Sequence, residues 1–560
     1  MIVYGDPHYT VSRATVRARL QTWFEAARGG ADSARDLVIA LGQIEQGIAD
    51  AESNTSALTA IMEATDRAAE FFVWQNLGKR CGPEVLVTCR HSALRALEGE
   101  GTLQIKIPEG FAFYSLFPEQ YLTAAEIYSV NRRITKTLVV GIRSIGTSLS
   151  AIVKAALNAR GFHAERITVR PKGHPFARET HLEDSPHCDA VIIVDEGPGL
   201  SGSSLASVAA AFRARGVKDI TFLPGHANPP GDSASIETKR IWSETPTMVE
   251  PLLNDLNSSP VTNILRRETE KILGAPVCAV KDLSAGAWAR LAKATASITA
   301  PQFERTKFLI ECAKGRSLIW KFAGLGPGAI FENLTSTALV RQNSLSAQGW
   351  CYPALASCYG FIATEWLELP HPSCPPDDST CAQLAQYIIA ASKQPLTELQ
   401  TENAINRLRE MMIYNFEESG LHNVAAAAKR LKPDIQAVSK LASYGDGRMA
   451  PYEFLTSSGK LLKTDIWGHD SDHTMIGQQP ILWDIAGALI EWKLPPNFTT
   501  HFEGSSVQIS AADVIFYLYA YTAFRIGMTS LAADSEGLAR YRKQATAVES
   551  FFPVSSVRQW

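Results

Sequence analysis

Residues 444–473, YGDGRMAPYEFLTSSGKLLKTDIWGHDSDH, decide how the carboxy-terminal half of this 560-residue chain is read. Two aspartates, Asp446 and Asp465, stand nineteen positions apart (465 − 446 = 19). Between them lie two short β-type runs and a Ser-Ser-Gly turn at 457–459, the pattern of a hairpin that brings the chain back on itself. Such a hairpin delivers both carboxylates to one cleft. Phosphoryl transfer needs one acid to orient or deprotonate the acceptor hydroxyl and another to hold Mg2+ on the phosphates of ATP. The terminal HDSDH adds His469, Asp470, Asp472 and His473, readable as a metal cluster or, more simply, as an acidic rim for substrate or a second metal.

Working outward, LWDIAGALIEW (482–492) is a helical run with Asp484 near its start, and SLIWKFAG (317–324) is a strand carrying Lys321. A helix is expected over 331–340, with Glu332 at its beginning, and YGFIATEWLEL (359–369) reads as a further strand. In this order the segments resemble the aminoglycoside and choline kinase superfamily. The resemblance implies a bilobal, protein-kinase-like phosphotransferase domain over 301–560, with a small lobe 301–369 and a large lobe 370–560. It makes Asp446 the catalytic base, Asp465 the metal ligand and Lys321 the ATP-phosphate lysine, with Glu332 pairing to Lys321. Adenine would meet the backbone near Glu365 and Leu367, and Asp484 would support the catalytic loop. Two positions depart from the pattern. Tyr444 stands where a histidine is usual, and Pro451 stands five residues after Asp446, where a metal-binding Asn is implied. Glu453 could supply the missing oxygen, or Asp470 and Asp472.

The amino-terminal half carries a second constellation. In VIIVDEGPGLSGSSL (191–205) a buried strand ends at two acids, Asp195 and Glu196, and a Gly/Ser loop opens directly into a helix. Backbone N–H groups and hydroxyls of such a loop can hold a phosphate, aided by the helix dipole. The paired acids suit a ribose diol or a divalent metal. The bland alternative is a plain strand-to-helix turn. VVGIRSIGTSLSAIV (139–153) and TVRPKGH (168–174) precede it, the second ending a strand in basic residues.

These three pieces resemble type I phosphoribosyltransferases, with phosphoribosyl pyrophosphate as substrate. The resemblance implies Asp195 and Glu196 at the reacting ribose, and Arg143, Ser144, Gly146 and Thr147 on pyrophosphate. Arg170 and Lys172 would face the diphosphate charge, and Gly199, Ser201, Gly202, Ser203 and Ser204 would grip the 5′-phosphate. Here Gly202 lies seven residues beyond Asp195 (202 − 195 = 7), one more than the family's usual six.

The remaining chain supplies the frame. Residues 15–75 have apolar positions at helical spacing, and short β-rich runs follow at 85–88, 103–107 and 111–116. Strands at 137–141, 166–170, 190–195 and 220–223 alternate with helices at 148–159 and 203–216, which predicts a parallel α/β sheet. The expected organisation is a helical region 1–84, a phosphoribosyltransferase-like domain with its hood over 85–235, a helical connector 236–300, and the phosphotransferase domain. The fold class is therefore α/β and α+β, multidomain.

Composition sets limits on function. With 54 Lys+Arg against 57 Asp+Glu, no broad basic field for nucleic acid exists. The apolar run 514–528 is interrupted by Arg525 and falls short of the roughly 20 residues a membrane span needs, so it reads as a core helix. No secretory leader is visible and nine cysteines are sparse, which fits reduced thiols of a cytoplasmic protein without a membrane partner. The function expected is that of a bifunctional transferase using Mg2+, ATP and phosphoribosyl pyrophosphate on small-molecule, nucleotide-related acceptors. The alternative is a nucleotide-binding regulatory protein with one or both domains inactive. A homo-oligomer is left open.

Overall fold

The computed structural model describes residues 1–551 except 6–7, 52–54, 80–81, 131, 134–135, 183–185, 200, 254–258, 295–299, 301–302, 329–330, 470–473, 475 and 504–508. Its contacts divide it into two compact units. The first comprises 8–265 and 324–334, and the second 1–7, 266–323 and 335–560. The expected boundaries at 84 and 235 both fall inside the first unit, and the second takes in 266–300 together with most of 301–560.

In the first unit, helices α1 (Ala31–Ala51) and α2 (Ser56–Asn76) precede a four-stranded sheet. Its strands β1 (Lys136–Ile142), β2 (His163–Val169), β3 (Ala190–Val194) and β4 (Asp219–Leu223) are all parallel, in the order β2-β1-β3-β4. Helices α3 (Ile145–Ala159) and α4 (Ser203–Ala214) make the crossovers. β1 from Thr137 onward and the whole of β3 are buried, as strands covered on both faces must be. Because β1 and β3 are adjacent and parallel, their carboxyl ends, with Arg143 to Thr147 after one and Asp195 and Glu196 after the other, lie at one edge of the sheet.

Two of the expected β-runs are not strands. Residues 85–88 lie in a helix, Pro83–Ala96. Gly82 caps it, Pro83 holds the first helical position and Glu84 the first turn, a start signal that outweighs the strand preference of Val85 and Val87. Its buried positions Leu86, Cys89, Ala93 and Ala96 recur at helical spacing. Residues 111–116 form the end of a short helix, Glu109–Ala112, and a turn in which Ser115 has φ +50°. The run at 103–107 does form a strand (Thr102–Lys106), paired antiparallel with His8–Ser12.

The second unit opens with a five-stranded antiparallel sheet built from β5 (Val277–Asp282), β6 (Lys307–Cys312), β7 (Ser317–Phe322), β8 (Ala356–Cys358) and β9 (Phe361–Glu365). Their order is β8-β9-β7-β6-β5. Strand β5 lies within the stretch expected to be helical connector, while the helices Ile236–Glu244, Pro260–Leu273 and Trp288–Leu291 there fit that expectation. Helix α5 (Leu334–Ala347) sits between β7 and β8 in the chain.

Helices dominate from α6 (Asp378–Ala391) onward. They are interrupted by the hairpin β10 (Phe454–Ser457) and β11 (Lys460–Lys463). Ser458 and Gly459 take positive φ at its two-residue turn, the conformation that matches strand twist in a tight hairpin. Helices α7 (Leu482–Glu491) and α8 (Ala511–Leu531) complete the core. Every residue from Asp513 to Thr529 is buried, and Arg525 there is neutralised by Glu491 at 3.1 Å. Among the described residues no helix is long and apolar enough to cross a membrane, and the cysteines form no disulfide.

Candidate active site

The β10–β11 hairpin places Asp446, just before it, and Asp465, just after it, around a shared set of partners. Asp446 is wholly buried at its side chain. Its Oδ2 accepts from the Tyr387 hydroxyl of α6 and lies 3.2 Å from Lys463 Nζ; its Oδ1 accepts from the Arg448 N–H at 3.2 Å. Burial alone would raise this carboxyl. Lys463, His469 and Tyr387 outweigh burial and hold it below the ordinary aspartate range.

Asp465 is more open, with 23 % of its side chain exposed. It is ion-paired with Lys321 of β7, whose ammonium also sits 4.2 Å above the Trp467 ring. Lys321, His469 and Lys463 overcome burial and keep the Asp465 carboxyl well below its usual value. Burial has the larger hand in Lys321, lowering its pKa to about 8 with help from Lys307 and Arg305, against the opposing pull of Asp465. His469 spans the two acids. Its Nδ1 is 2.9 Å from the Asp446 carbonyl and its Nε2 is 3.5 Å from Asp465 Oδ2. Burial and Arg448 disfavour the imidazolium, but Asp465 and Asp446 raise the pKa overall. Asp470, Asp472 and His473 lie outside the described residues.

The loop under Asp446 is held from two sides. Asp484, buried at the start of α7, accepts from Gly447 N–H at 2.8 Å and from Asp446 N–H at 3.3 Å. Burial, and then Asp446, push its pKa up to about 7. Arg341 of α5 donates to the Gly445 and Ala391 carbonyls and, at 2.5 Å, to that of Ile466. One guanidinium thus fixes the residues preceding Asp446 and following Asp465. Gly445 is required there, since a Cβ would lie 1.4 Å from the Ala391 oxygen.

Several expected roles meet a different geometry. Glu332 precedes α5 rather than opening it, and it pairs with Arg19 at 2.6 Å, not with Lys321. The cause is that 324–334 folds with the first unit. There Asp36 accepts from Gly326 N–H at 3.3 Å and Asn333 at 3.0 Å, and Leu325 N–H donates to the Phe111 carbonyl. Glu453 does not face outward as a spare metal oxygen. It is buried, and its Oε2 lies 2.8 Å from Lys463 Nζ. Glu365 ends β9 with its carboxylate 3.6 Å from Arg316, and Leu367 is half-buried just beyond. Lys463 and Arg341 were not singled out in the sequence. An alternating strand lysine and a helix arginine carry no signal until their partners, distant in sequence, are known.

In the first unit Asp195 and Glu196 follow β3 directly. The Tyr121 hydroxyl donates to the Asp195 carbonyl at 2.7 Å and Gly110 N–H to Glu196 Oε2 at 2.9 Å. Burial pushes both carboxyls up to about 7, and Asp195 adds to the rise of Glu196. Gly199 and Gly202 take positive φ in the loop beyond. The Ser201 and Ser203 hydroxyls are 3.2 Å apart, and Ser203, which begins α4, donates to the Pro175 carbonyl; Ser204 follows it in the helix. Gly146 is needed for close packing, since its Cβ would meet the Val194 oxygen at 2.7 Å, and Ser144 before it has φ +118°.

Two of the three basic residues there are already paired. Arg143 and Arg170 both engage Asp50 at the end of α1: Arg143 at 3.3 Å, and Arg170 through Nε at 3.0 Å and through Nη2. The Thr147 hydroxyl is bonded to the Gly42 and Ser144 carbonyls. Lys172 is exposed on a two-stranded ribbon, opposite Glu179.

A carboxyl raised to about 7 in the fold binds protons that the unfolded chain, with its ordinary value near 4, has already released. Its burial therefore costs progressively more stability as pH rises from about 4 to 7, and a constant amount above. Asp195→Asn is expected to stabilise the first unit at pH 8, with the gain shrinking on acidification and vanishing near pH 4. Denaturant melts across that range check it, and a gain independent of pH would contradict the assignment.

No family model and no curated protein match this sequence. Among solved structures, a choline kinase from Streptococcus pneumoniae aligns at TM-score 0.32 and 15% identity, over 52% of this chain and 99% of its own. A macrolide 2′-phosphotransferase from Brachybacterium faecium aligns at 0.30 and 11%, over 51% and 97%. A GDP complex of an aminoglycoside 2′-phosphotransferase aligns at 0.27 and 11%, over 52% and 98%.

Proposed function

We propose that the second unit transfers the terminal phosphoryl group of ATP to a hydroxyl of a small-molecule acceptor. One observation carries this reading: Lys321 from a sheet strand and Asp465 from a hairpin end meet, with Asp446 tied to Asp465 through Lys463 and His469. The lysine would meet ATP phosphates, and Asp446 would orient the acceptor hydroxyl. Asp465 fits Mg2+, which is commonly held by one or two carboxylates plus phosphate oxygens. Glu453 does not, because its carboxylate is taken by Lys463. Bound there, Mg2+ would neutralise charge on the transferring phosphoryl group.

The fuller reading is a bifunctional enzyme, with phosphoribosyl chemistry in the first unit. Adjacent parallel strand ends carrying Asp195, Glu196 and Arg143, beside the Gly199–Gly202 turn, support it. Arg143 and Arg170 would have to leave Asp50 to meet a diphosphate.

A second reading, nucleotide binding without turnover, is favoured by the complete burial of the Asp446 side chain under Tyr387 and Lys463. Incubating the protein with a metabolite extract and Mg-ATP, followed by mass spectrometry, separates the two. Acceptor-dependent ADP and a newly phosphorylated species are expected. ATP binding with no product across all fractions would favour the second reading.

A further inference from the structure

We propose that Lys463 is a built-in second cation of this site, so that the cleft binds its nucleotide with a single divalent metal ion. The proposal rests on the phosphotransfer reading above and sharpens it. An ammonium has three N–H donors. Those of Lys463 meet three acceptors: Glu453 Oε2 at 2.8 Å, Asp446 Oδ2 at 3.2 Å and the Asp465 carbonyl. Its side chain is fully buried. Held by two hydrogen bonds and the Asp446 ion pair, the group is a fixed positive charge turned onto protein oxygens.

The surrounding chemistry agrees. Among the described residues, further oxygens for a second divalent ion near Asp446 and Asp465 would come from the segment between Asp446 and the hairpin. That segment offers Pro451, which has no side-chain oxygen, and Glu453, whose carboxylate is turned onto Lys463. The remaining Asp446 Oδ2 lone pairs are directed to Tyr387 and Lys463. A buried ammonium at this spot also repels any further cation across a medium that screens poorly. In charge terms Asp446, Glu453 and Asp465 carry three negative charges, and Lys321 and Lys463 return two. Among these three, Asp465 is the most exposed carboxylate, with Lys463 bonded to its carbonyl rather than to its side chain.

Mn2+ electron paramagnetic resonance on the full chain, with protein in excess over a non-hydrolysable ATP analogue, counts the ions held. The wild type is expected to hold one Mn2+ per bound nucleotide, and Asp465→Asn to lower its affinity at least about 10-fold. Lys463→Gln, if it folds, is expected to bring the count to two. Two ions on the wild type would overturn the proposal, as would a folded Lys463→Gln that still holds one. If Lys463→Gln does not fold, the wild-type count alone decides. Failure of the analogue to bind at millimolar concentration, with or without Mn2+, would instead remove the phosphotransfer reading itself.

Discussion

Asp465→Ala is expected to lower acceptor-dependent ADP formation by about 10³-fold, the scale on which loss of one preorganised charge partner shows in turnover. The fold should survive. Lys321, the partner left behind, already has its pKa lowered to about 8 by burial. Without Asp465 it can shed its proton, so no unpaired charge need stay buried. The thermal midpoint is accordingly expected to move by a few degrees at most. Turnover that persisted in a folded Asp465→Ala protein would place phosphoryl transfer elsewhere.

The largest stability effect is expected in the first unit, at Arg166 on β2. Its guanidinium is fully buried and all five N–H groups are used. It pairs twice with Glu45 of α1, at 2.7 and 3.0 Å, and with Asp66 of α2 at 2.7 Å. The Thr147 and Met62 carbonyls accept the rest, each at 3.3 Å. This one side chain therefore ties both helices to the sheet edge and also braces the first turn of α3. Arg166→Met would strand the fully buried Glu45 carboxylate, which typically costs about 3–5 kcal/mol. Adding Glu45→Met should recover most of that loss, because the penalty lies in the unpaired charge rather than in the missing attraction. Urea unfolding monitored on both variants checks it. A single-variant loss below about 1 kcal/mol would contradict the reading of this network.

The same network shows where sequence reading stops. Helices at 31–51 and 56–76 could be expected from their apolar spacing, but nothing local tells that Glu45 and Asp66 face Arg166 a hundred residues on. Treating 1–84 as a region apart follows from that blindness. The alternation of strands and helices from 136 to 223 was legible because buried parallel strands are apolar throughout and short. The hairpin after Asp446 was legible because a Ser-Gly turn between two strand-like runs has few other uses.

Side-chain pairing was the least legible. The resemblance implies Glu332 as a partner for Lys321, yet Asp36 draws the intervening segment to the first unit. Arg143 and Arg170 look like anion ligands, and their present anion is Asp50, a residue whose position at a helix end carries no motif. Glu453 and Lys463 are ordinary hairpin residues until the fold closes them on Asp446.

In the proposed phosphotransfer, the ATP phosphates lie against Lys321. A lysine-acylating ATP probe tests it directly, since an amine with a pKa near 8 is partly unprotonated and nucleophilic at mildly alkaline pH. Peptide mass mapping should find the label on Lys321, with labelling suppressed by excess Mg-ATP and absent from Lys321→Met. Labelling spread over surface lysines and indifferent to ATP would contradict it.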